Sequence, residues 1–215
     1  MDIASYIDHT ALKPDLTAAA VRALCEEAKT HRFAGVCVPP YYVPEAKQAL
    51  SDSSIQLATV IGFPLGYAAT VAKVEEIKRA IDEGATELDV VINLAALKSG
   101  NWNFVRQDLD RMVTAVHLKG KVIKVIIEGA LLTEEEMAKV CGICNELEPD
   151  FVKTSTGFNG PGATVEMIAT MRRLLSPGIK LKASGGIRST EDAIALIEAG
   201  ANRLGSSSGV KIVGG

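Results

Sequence analysis

The chain has 215 residues, 47% of them hydrophobic and 5% aromatic, which fits one soluble domain with a sizeable core. Its formal net charge of -3 is nearly balanced and no lysine- or arginine-rich block is present, which argues against a nucleic-acid partner. No apolar run reaches the roughly 18 residues of a membrane span, and the opening MDIASYIDHT lacks the apolar core of a signal peptide, so we expect a cytoplasmic protein without membrane contact.

Apolar, β-rich segments alternate with segments of helical period along the chain. Strands are predicted at residues 5–10, 34–40, 56–63, 87–93, 121–128, 150–156, 179–184 and 202–208. Helices are predicted at residues 16–31, 70–85, 103–120, 133–148, 164–176 and 190–201. The TEEE segment that begins at Thr133 has the spacing of a capping box, which marks the start of its helix.

This alternation predicts a parallel sheet, because each parallel connection needs a crossover. Eight units indicate an α/β fold, a (β/α)8 TIM barrel that forms a single domain over residues 1–215. A doubly wound open sheet is the alternative. The first strand-to-helix turn lacks GxGxxG, and loops rich in glycine and serine follow the last units instead, which favours the barrel.

The four cysteines do not indicate a disulfide scaffold, and we expect free thiols. The pair Cys141 and Cys144 has the spacing of zinc and redox motifs but lies within a helical pattern. No second CxxC or CxxH pair completes a zinc site, and no strand leads directly into the motif. Two small core residues are therefore the favoured interpretation over a metal or redox site.

Several charged residues lie on predicted strands with the parity of the barrel interior. Because side chains alternate along a strand, Lys153, Lys182 and Asp89 are expected to point inward near the carboxyl ends of their strands. Burial and a second ammonium both lower the pKa of a lysine and make its neutral amine available as a nucleophile. A Schiff base with a carbonyl substrate exploits such an amine, and Asp89 could transfer protons. Structural ion pairs are the alternative.

Three loops predict a phosphate site. They are residues 155–162, 184–189 and 205–209, after the last three strands, and all are rich in glycine or serine. Glycines let backbone N–H groups approach an anion, and barrels bind phosphate after strands seven and eight. Arg188 could add a positive charge. Tight turns that bind nothing are the alternative.

The segments ELDVVIN, FVKTSTGF, KASGGIR and GSSSG, together with IDHTALK and GVCVPP, resemble the deoxyribose-phosphate aldolases, a family of class I aldolases. The resemblance implies reversible cleavage of 2-deoxy-D-ribose 5-phosphate to acetaldehyde and D-glyceraldehyde 3-phosphate, in deoxynucleoside catabolism. It implies no metal and no organic cofactor. The partners would be a small-molecule sugar phosphate and aldehydes, and we expect a homo-oligomer, either a dimer or a tetramer.

The resemblance also assigns roles. Lys153 would form the Schiff base, Lys182 would lower the pKa of Lys153 and take part in proton transfer, and Asp89 would work with Lys182 through a water molecule. The phosphate pocket would involve Gly157, Gly185, Gly186, Arg188, Gly205, Ser207 and Ser208. The sugar end would involve Asp8, Thr10, Cys37 and Lys124.

Phe158 and His9 also lie near these motifs. Phe158 stands where some relatives place a basic residue, so phosphate affinity could be lower or could come entirely from the other loops. His9 has outward parity and is expected to be a packing residue rather than a catalytic base. Two alternative functions remain open: another Schiff-base aldolase or transaldolase that acts on a sugar phosphate, and a non-catalytic sugar-phosphate binding protein.

Overall fold

Eight parallel strands form a closed barrel in the computed structural model, which describes residues 1–214. Each strand pairs with the next in sequence, and the last pairs with the first. The strands are β1 (Ile7–Thr10), β2 (Gly35–Val38), β3 (Gln56–Ile61), β4 (Glu87–Val91), β5 (Val122–Ile126), β6 (Phe151–Lys153), β7 (Lys180–Ser184) and β8 (Arg203–Ser206). The (β/α)8 barrel is therefore confirmed, and the open sheet is excluded.

Helices surround the barrel. They are α1 (Ala18–His31), α2 (Val43–Ala49), α3 (Thr70–Glu83), α4 (Leu94–Lys98), α5 (Trp102–His117), α6 (Glu134–Leu147), α7 (Val165–Leu174), α8 (Thr190–Glu198) and α9 (Gly209–Gly214). The six predicted helices are present. The sequence missed α2, α4 and α9, because one or two turns are too short to display a helical period. Among the helices described here, none combines the length and apolar composition needed to cross a membrane.

The predicted capping box fixes the start of α6. The backbone N–H of Glu136 donates to the Thr133 hydroxyl at 3.2 Å, and the Glu136 carboxylate accepts from the Thr133 backbone N–H at 2.8 Å. Two backbone N–H groups that would otherwise lack partners are thus satisfied. The capping box therefore fixes the point at which the loop between β5 and α6 ends, close to the barrel opening.

The strands separate an apolar layer from a partly charged interior. Side chains that face the helices, such as Val36, Val90 and Val152, are fully buried in the main hydrophobic core. Inside the barrel, β2 and β3 contribute a small apolar cluster that contains Cys37 and Val60. The other strands contribute fully buried charged residues to the interior, among them Asp8, Asp89, Lys124 and Lys182. This charged sector contains the candidate site.

Candidate active site

Lys153 is the last residue of β6 and points into the barrel. Its neighbour Val152 faces the helices and is fully buried, so alternation along the strand directs Lys153 inward. The Lys153 side chain is 3% exposed, and its Nζ donates to Asp89 Oδ2 at 2.8 Å. Lys153 also lies on the wall of a cavity, which gives its amine a route to a ligand.

Lys182 meets Lys153 because β6 and β7 pair in a register that places these two residues side by side. Lys182 Nζ donates to Asp89 Oδ2 at 2.8 Å and to Asp8 Oδ2 at 2.5 Å. The two lysines therefore share one carboxylate oxygen of Asp89. The contact of Asp89 with Lys182 is direct, where the resemblance implied one through water.

Asp89 also contacts a third lysine, Lys124. Its second oxygen, Oδ1, accepts from Lys124 Nζ at 2.8 Å. Lys124 in turn lies 2.5 Å from the Glu87 carboxylate. Burial alone would raise the pKa of Asp89, but Lys124, Lys153 and Lys182 together hold it well below its ordinary value. Asp89 is therefore an ionised carboxylate.

The two lysines differ in their pKa. Burial lowers the pKa of Lys153, and the charge of Lys182 lowers it further, against the opposing effect of Asp89. Burial also works against the charged form of Lys182, but Asp8 and Asp89 outweigh burial and raise its pKa. The site therefore holds a charged Lys182 beside a Lys153 amine that loses its proton more readily. Such an amine is a nucleophile.

The cavity at the carboxyl ends of the strands has a volume of about 690 Å³. Eight of the residues predicted for the site line it: Thr10, Lys153, Gly157, Gly185, Gly186, Arg188, Gly205 and Ser207. Five others lie beneath its wall and are fully buried: Asp8, Cys37, Asp89, Lys124 and Lys182. Ser208 also lies outside the lining, and its backbone N–H donates to the Ser206 hydroxyl at 2.9 Å.

Glycines bring the loops after β6 and β7 into close contact. Gly185 has φ +83°, in the left-handed region that favours glycine. A Cβ atom on Gly162 would lie only 1.9 Å from the Gly185 carbonyl oxygen, so a side chain at Gly162 is excluded. The Ala163 backbone N–H donates to the Ser184 carbonyl at 3.0 Å. These contacts shape the part of the cavity where phosphate was predicted.

Three residues near the cavity were not assigned to the site from the sequence. Lys13 and Thr156 line it, and Glu128 is buried behind Thr156. The Glu128 carboxylate accepts from the backbone N–H of Thr156 at 3.0 Å and from the side-chain amide of Asn159 at 3.0 Å. It also accepts from the Thr156 hydroxyl. In the sequence, Lys13 could be recognised as a basic residue in the loop after β1, and Glu128 as an acidic residue just after β5.

His9 lines the cavity, whereas the cysteines considered from the sequence are buried. His9 is 3% exposed, lies 2.7 Å from the Glu27 carboxylate through Nε2 and packs against Phe33. Cys141 and Cys144 are buried on α6 as core residues, and burial raises the pKa of Cys141 to about 12. Within residues 1–214, no group of three or more side chains is arranged to hold a metal ion. Burial also raises the pKa of Cys37 to about 11, so its thiol is neutral.

A (β/α)8 barrel with a desolvated lysine at its carboxyl-end cavity, next to an ionised carboxylate and a second lysine, has the features of a class I aldolase. The comparisons with known proteins agree. The family model described as "DeoC/LacD family aldolase" matches residues 3–214. The chain belongs to the DeoC/LacD aldolase family and is an enzyme of the class I aldolase type.

Individual relatives cover nearly the whole chain. It is 52% identical to "Deoxyribose-phosphate aldolase" of Thermococcus gammatolerans over 217 residues, which covers 100% of this chain and 96% of the relative. It is 51% identical to the protein of the same name from Desulfitobacterium hafniense, with 99% and 98% covered. The tetrameric deoxyribose phosphate aldolase structure from Aeropyrum pernix matches with a TM-score of 0.92 and 35% identity, covering 99% of this chain and 89% of that one.

Proposed function

We propose that this chain is a deoxyribose-phosphate aldolase that cleaves 2-deoxy-D-ribose 5-phosphate reversibly to acetaldehyde and D-glyceraldehyde 3-phosphate. The observation that carries the proposal is the environment of Lys153. Its amine is desolvated, has a lowered pKa, lies on the cavity wall and contacts Asp89 at 2.8 Å. Relatives that carry this name at about half identity over the full chain support the choice of substrate.

The reaction begins at the aldehyde carbon, C1. The neutral Lys153 amine attacks C1, and the resulting carbinolamine loses water to give a protonated imine. The imine withdraws electrons, so the C2–C3 bond breaks while the C3 hydroxyl loses its proton and becomes the aldehyde of glyceraldehyde 3-phosphate. The electron pair of that bond forms an enamine. Protonation of the enamine at C2 and hydrolysis release acetaldehyde and restore the amine.

Asp89 and Lys182 move the protons of this sequence. Asp89 Oδ2 contacts both lysines at 2.8 Å, so it can carry a proton between them. Lys182 is held between Asp8 and Asp89 and its pKa is raised, which keeps it protonated as the proton donor. The Asp89 carboxylate, acting with Lys182, accepts the proton of the C3 hydroxyl, and the pair then returns a proton to C2 of the enamine. The pair also supplies the acid that carbinolamine dehydration needs.

The glycine-rich side of the cavity receives the phosphate. The loops around Gly185 and Gly205 offer backbone groups there, and the side chains of Arg188 and Lys13 supply positive charge. Phe158 lies on the same wall and is 50% exposed. Its ring packs edge-on against Phe63, with 5.1 Å between the ring centroids. Phosphate binding therefore depends on the loops after β7 and β8 and on Lys13, and not on a cation at position 158.

Product analysis distinguishes this proposal from its alternatives. The purified chain is incubated with 2-deoxy-D-ribose 5-phosphate and separately with ketose phosphates, and acetaldehyde and glyceraldehyde 3-phosphate are measured. We expect both products from the deoxyribose phosphate only. Cleavage of a ketose phosphate instead would favour another aldolase or a transaldolase. Binding of deoxyribose phosphate without any product, unaffected by Lys153→Met, would favour a binding protein.

We further propose that residues 1–215 form one catalytic domain, that the chain assembles as a homo-oligomer, either a dimer or a tetramer, and that it acts in the cytoplasm in deoxynucleoside catabolism. The tetrameric structure from Aeropyrum pernix supports the assembly. Light scattering coupled to size-exclusion chromatography tests it. A mass equal to that of one chain over the working concentration range would contradict the assembly.

A further inference from the structure

A continuous network of ion pairs runs through the barrel interior beneath Lys153. Its members are three carboxylates and four cations: Asp8, Glu87, Asp89, Lys124, Lys153, Lys182 and Arg203. Two members, Glu87 and Arg203, are the first residues of β4 and β8, at the end of the barrel opposite the cavity. Neither lines the cavity, and neither has a direct ion pair with Lys153.

The contacts link these two residues to the nucleophile in steps. The Arg203 guanidinium lies 2.6 Å from Asp8 Oδ1 and 3.4 Å from the Glu87 carboxylate. Asp8 holds Lys182, which shares Asp89 with Lys153. Glu87 holds Lys124, which binds the other oxygen of Asp89.

The charges of the network balance only if one cation is neutral. With all seven groups ionised, four positive charges face three negative ones. Lys124, Lys182 and Arg203 each contact at least two carboxylates, whereas Lys153 contacts Asp89 alone and shares that oxygen with Lys182. Loss of the proton from Lys153 therefore removes the excess charge at the smallest cost in ion pairs.

We propose that Glu87 and Arg203 are positioning residues for the reaction, which hold Lys124 and Asp8 in place and set, by their opposite charges, the pH at which Lys153 becomes nucleophilic. The inference rests on the proposed function, since it assigns the Schiff base to Lys153. It adds two residues at the far end of the barrel to those that control the chemistry.

The signs follow from the charges around Lys153. Asp89 from β4, Lys182 from β7 and the neutral Cys37 thiol from β2 act on Lys153 directly. The more distant charges of the network are Asp8 from β1, Glu87 from β4, Lys124 from β5 and Arg203 from β8. Removal of the Arg203 charge makes the surroundings more negative, so Lys153 keeps its proton to higher pH. Removal of the Glu87 charge has the opposite effect.

The test measures the rate at which acetaldehyde and cyanoborohydride ethylate Lys153, as a function of pH, by peptide mass spectrometry. A unit charge roughly 10 Å away at an effective dielectric of about 20 shifts a pKa by about one unit. We therefore expect the midpoint of the profile to move up by about one pH unit in Arg203→Gln and down by about as much in Glu87→Gln. The double variant should return close to the parent.

The controls separate charge from packing. Arg203→Lys and Glu87→Asp keep the charges and should keep the parent midpoint. Lys180→Gln removes an exposed cation from the first residue of β7, at the same end of the barrel, and should leave the midpoint unchanged. Arg203→Met and Glu87→Met are also made. If a glutamine variant does not fold, as judged by circular dichroism, the methionine variant at the same position is measured instead.

The outcomes distinguish the two proposals. If the parent chain forms no ethyl adduct at Lys153 at any pH, the proposed function fails. If the parent forms the adduct but the two single variants shift in the same direction, or do not shift, the proposed function stands and the inference about Glu87 and Arg203 is wrong.

Discussion

Two buried lysines of this protein have pKa values shifted in the same direction but serve different purposes. Lys73 on α3 and Lys153 on β6 are both almost fully buried, and burial lowers the pKa of each. Lys73 Nζ donates to Asp108 Oδ2 at 2.6 Å and to the carbonyl oxygens of Gly66 at 3.1 Å and Val91 at 3.3 Å. Lys153 Nζ has Asp89 as its ion-pair partner and lines the cavity.

A lowered pKa does not by itself identify a nucleophile. All three donor positions of Lys73 are used to fasten the loop after β3 and the end of β4 to α5. No lone pair is presented to a ligand, and the residue does not line the cavity. Lys153 combines the same desolvation with access to the cavity, and the other charges of its network already balance without it. Access and charge balance distinguish the reactive amine from the structural one.

The largest expected effect comes from Lys153→Met. Loss of the nucleophile should reduce kcat/KM for deoxyribose phosphate cleavage by more than about 10⁴-fold. The methionine variant should keep the fold, because the remaining three cations and three carboxylates of the network balance. Steady-state kinetics and thermal unfolding are the measurements. Residual activity within tenfold of the parent would place the nucleophile elsewhere.

Lys182→Leu should have the next largest effect. Loss of the proton donor is expected to reduce kcat by about 10²–10⁴-fold. The pKa of Lys153 should rise at the same time, because a positive charge that lowers it is gone, so activity should now require higher pH. Lys180→Leu, two residues earlier on β7, is the matched control and should behave like the parent. A Lys182→Leu profile with an unchanged midpoint would refute the coupling between the lysines.

Lys73→Met should reduce stability more than catalysis. It leaves Asp108 buried without its cation, which should reduce the free energy of unfolding by about 3–5 kcal/mol. The kcat of the folded fraction should stay within a few-fold of the parent. Chemical denaturation and active-site titration separate the two quantities, and Lys73→Met combined with Asp108→Leu should recover stability. A large loss of kcat at full folding would give Lys73 a direct part in the chemistry.

Phe158→Lys is expected to have the smallest effect. A cation on the cavity wall should lower the KM for deoxyribose 5-phosphate by a few-fold and leave kcat unchanged, since solvent screens a half-exposed charge. The KM for unphosphorylated 2-deoxyribose should not change. Leu118→Lys adds the same charge at the exposed C-terminal end of α5 as a control. An equal gain for both substrates would show that position 158 does not face the phosphate.

Much of the fold and part of the site could be predicted from the sequence. Strand alternation has a period of two, so parity alone predicts that Lys153, Lys182 and Asp89 point inward. Their contact could not be predicted, because it depends on the register between β6 and β7 and on the curvature of the barrel. The approach of Arg203 to Asp8 depends on the closure of β8 against β1, which local sequence does not encode.

The cavity shows the same division. Glycine positions after β6 and β7 were predictable from composition, and they do line the cavity. The burial of Asp8, Cys37 and Lys124 beneath the cavity wall could not be predicted. Strand parity gives the direction of a side chain but not its depth. The position of Ser208 outside the cavity lining also could not be predicted, because α9 begins directly after it and is too short to display a helical period.

The most direct test of the central claim maps the site of the Schiff base. The protein is treated with acetaldehyde at low concentration, reduced with borohydride, digested and analysed by mass spectrometry, with and without excess 2-deoxy-D-ribose 5-phosphate as competitor. We predict one dominant ethyl group on Lys153, suppressed by the competitor, and none on Lys73. Dominant, competitor-sensitive ethylation of any other lysine, with Lys153 unmodified, would contradict the account.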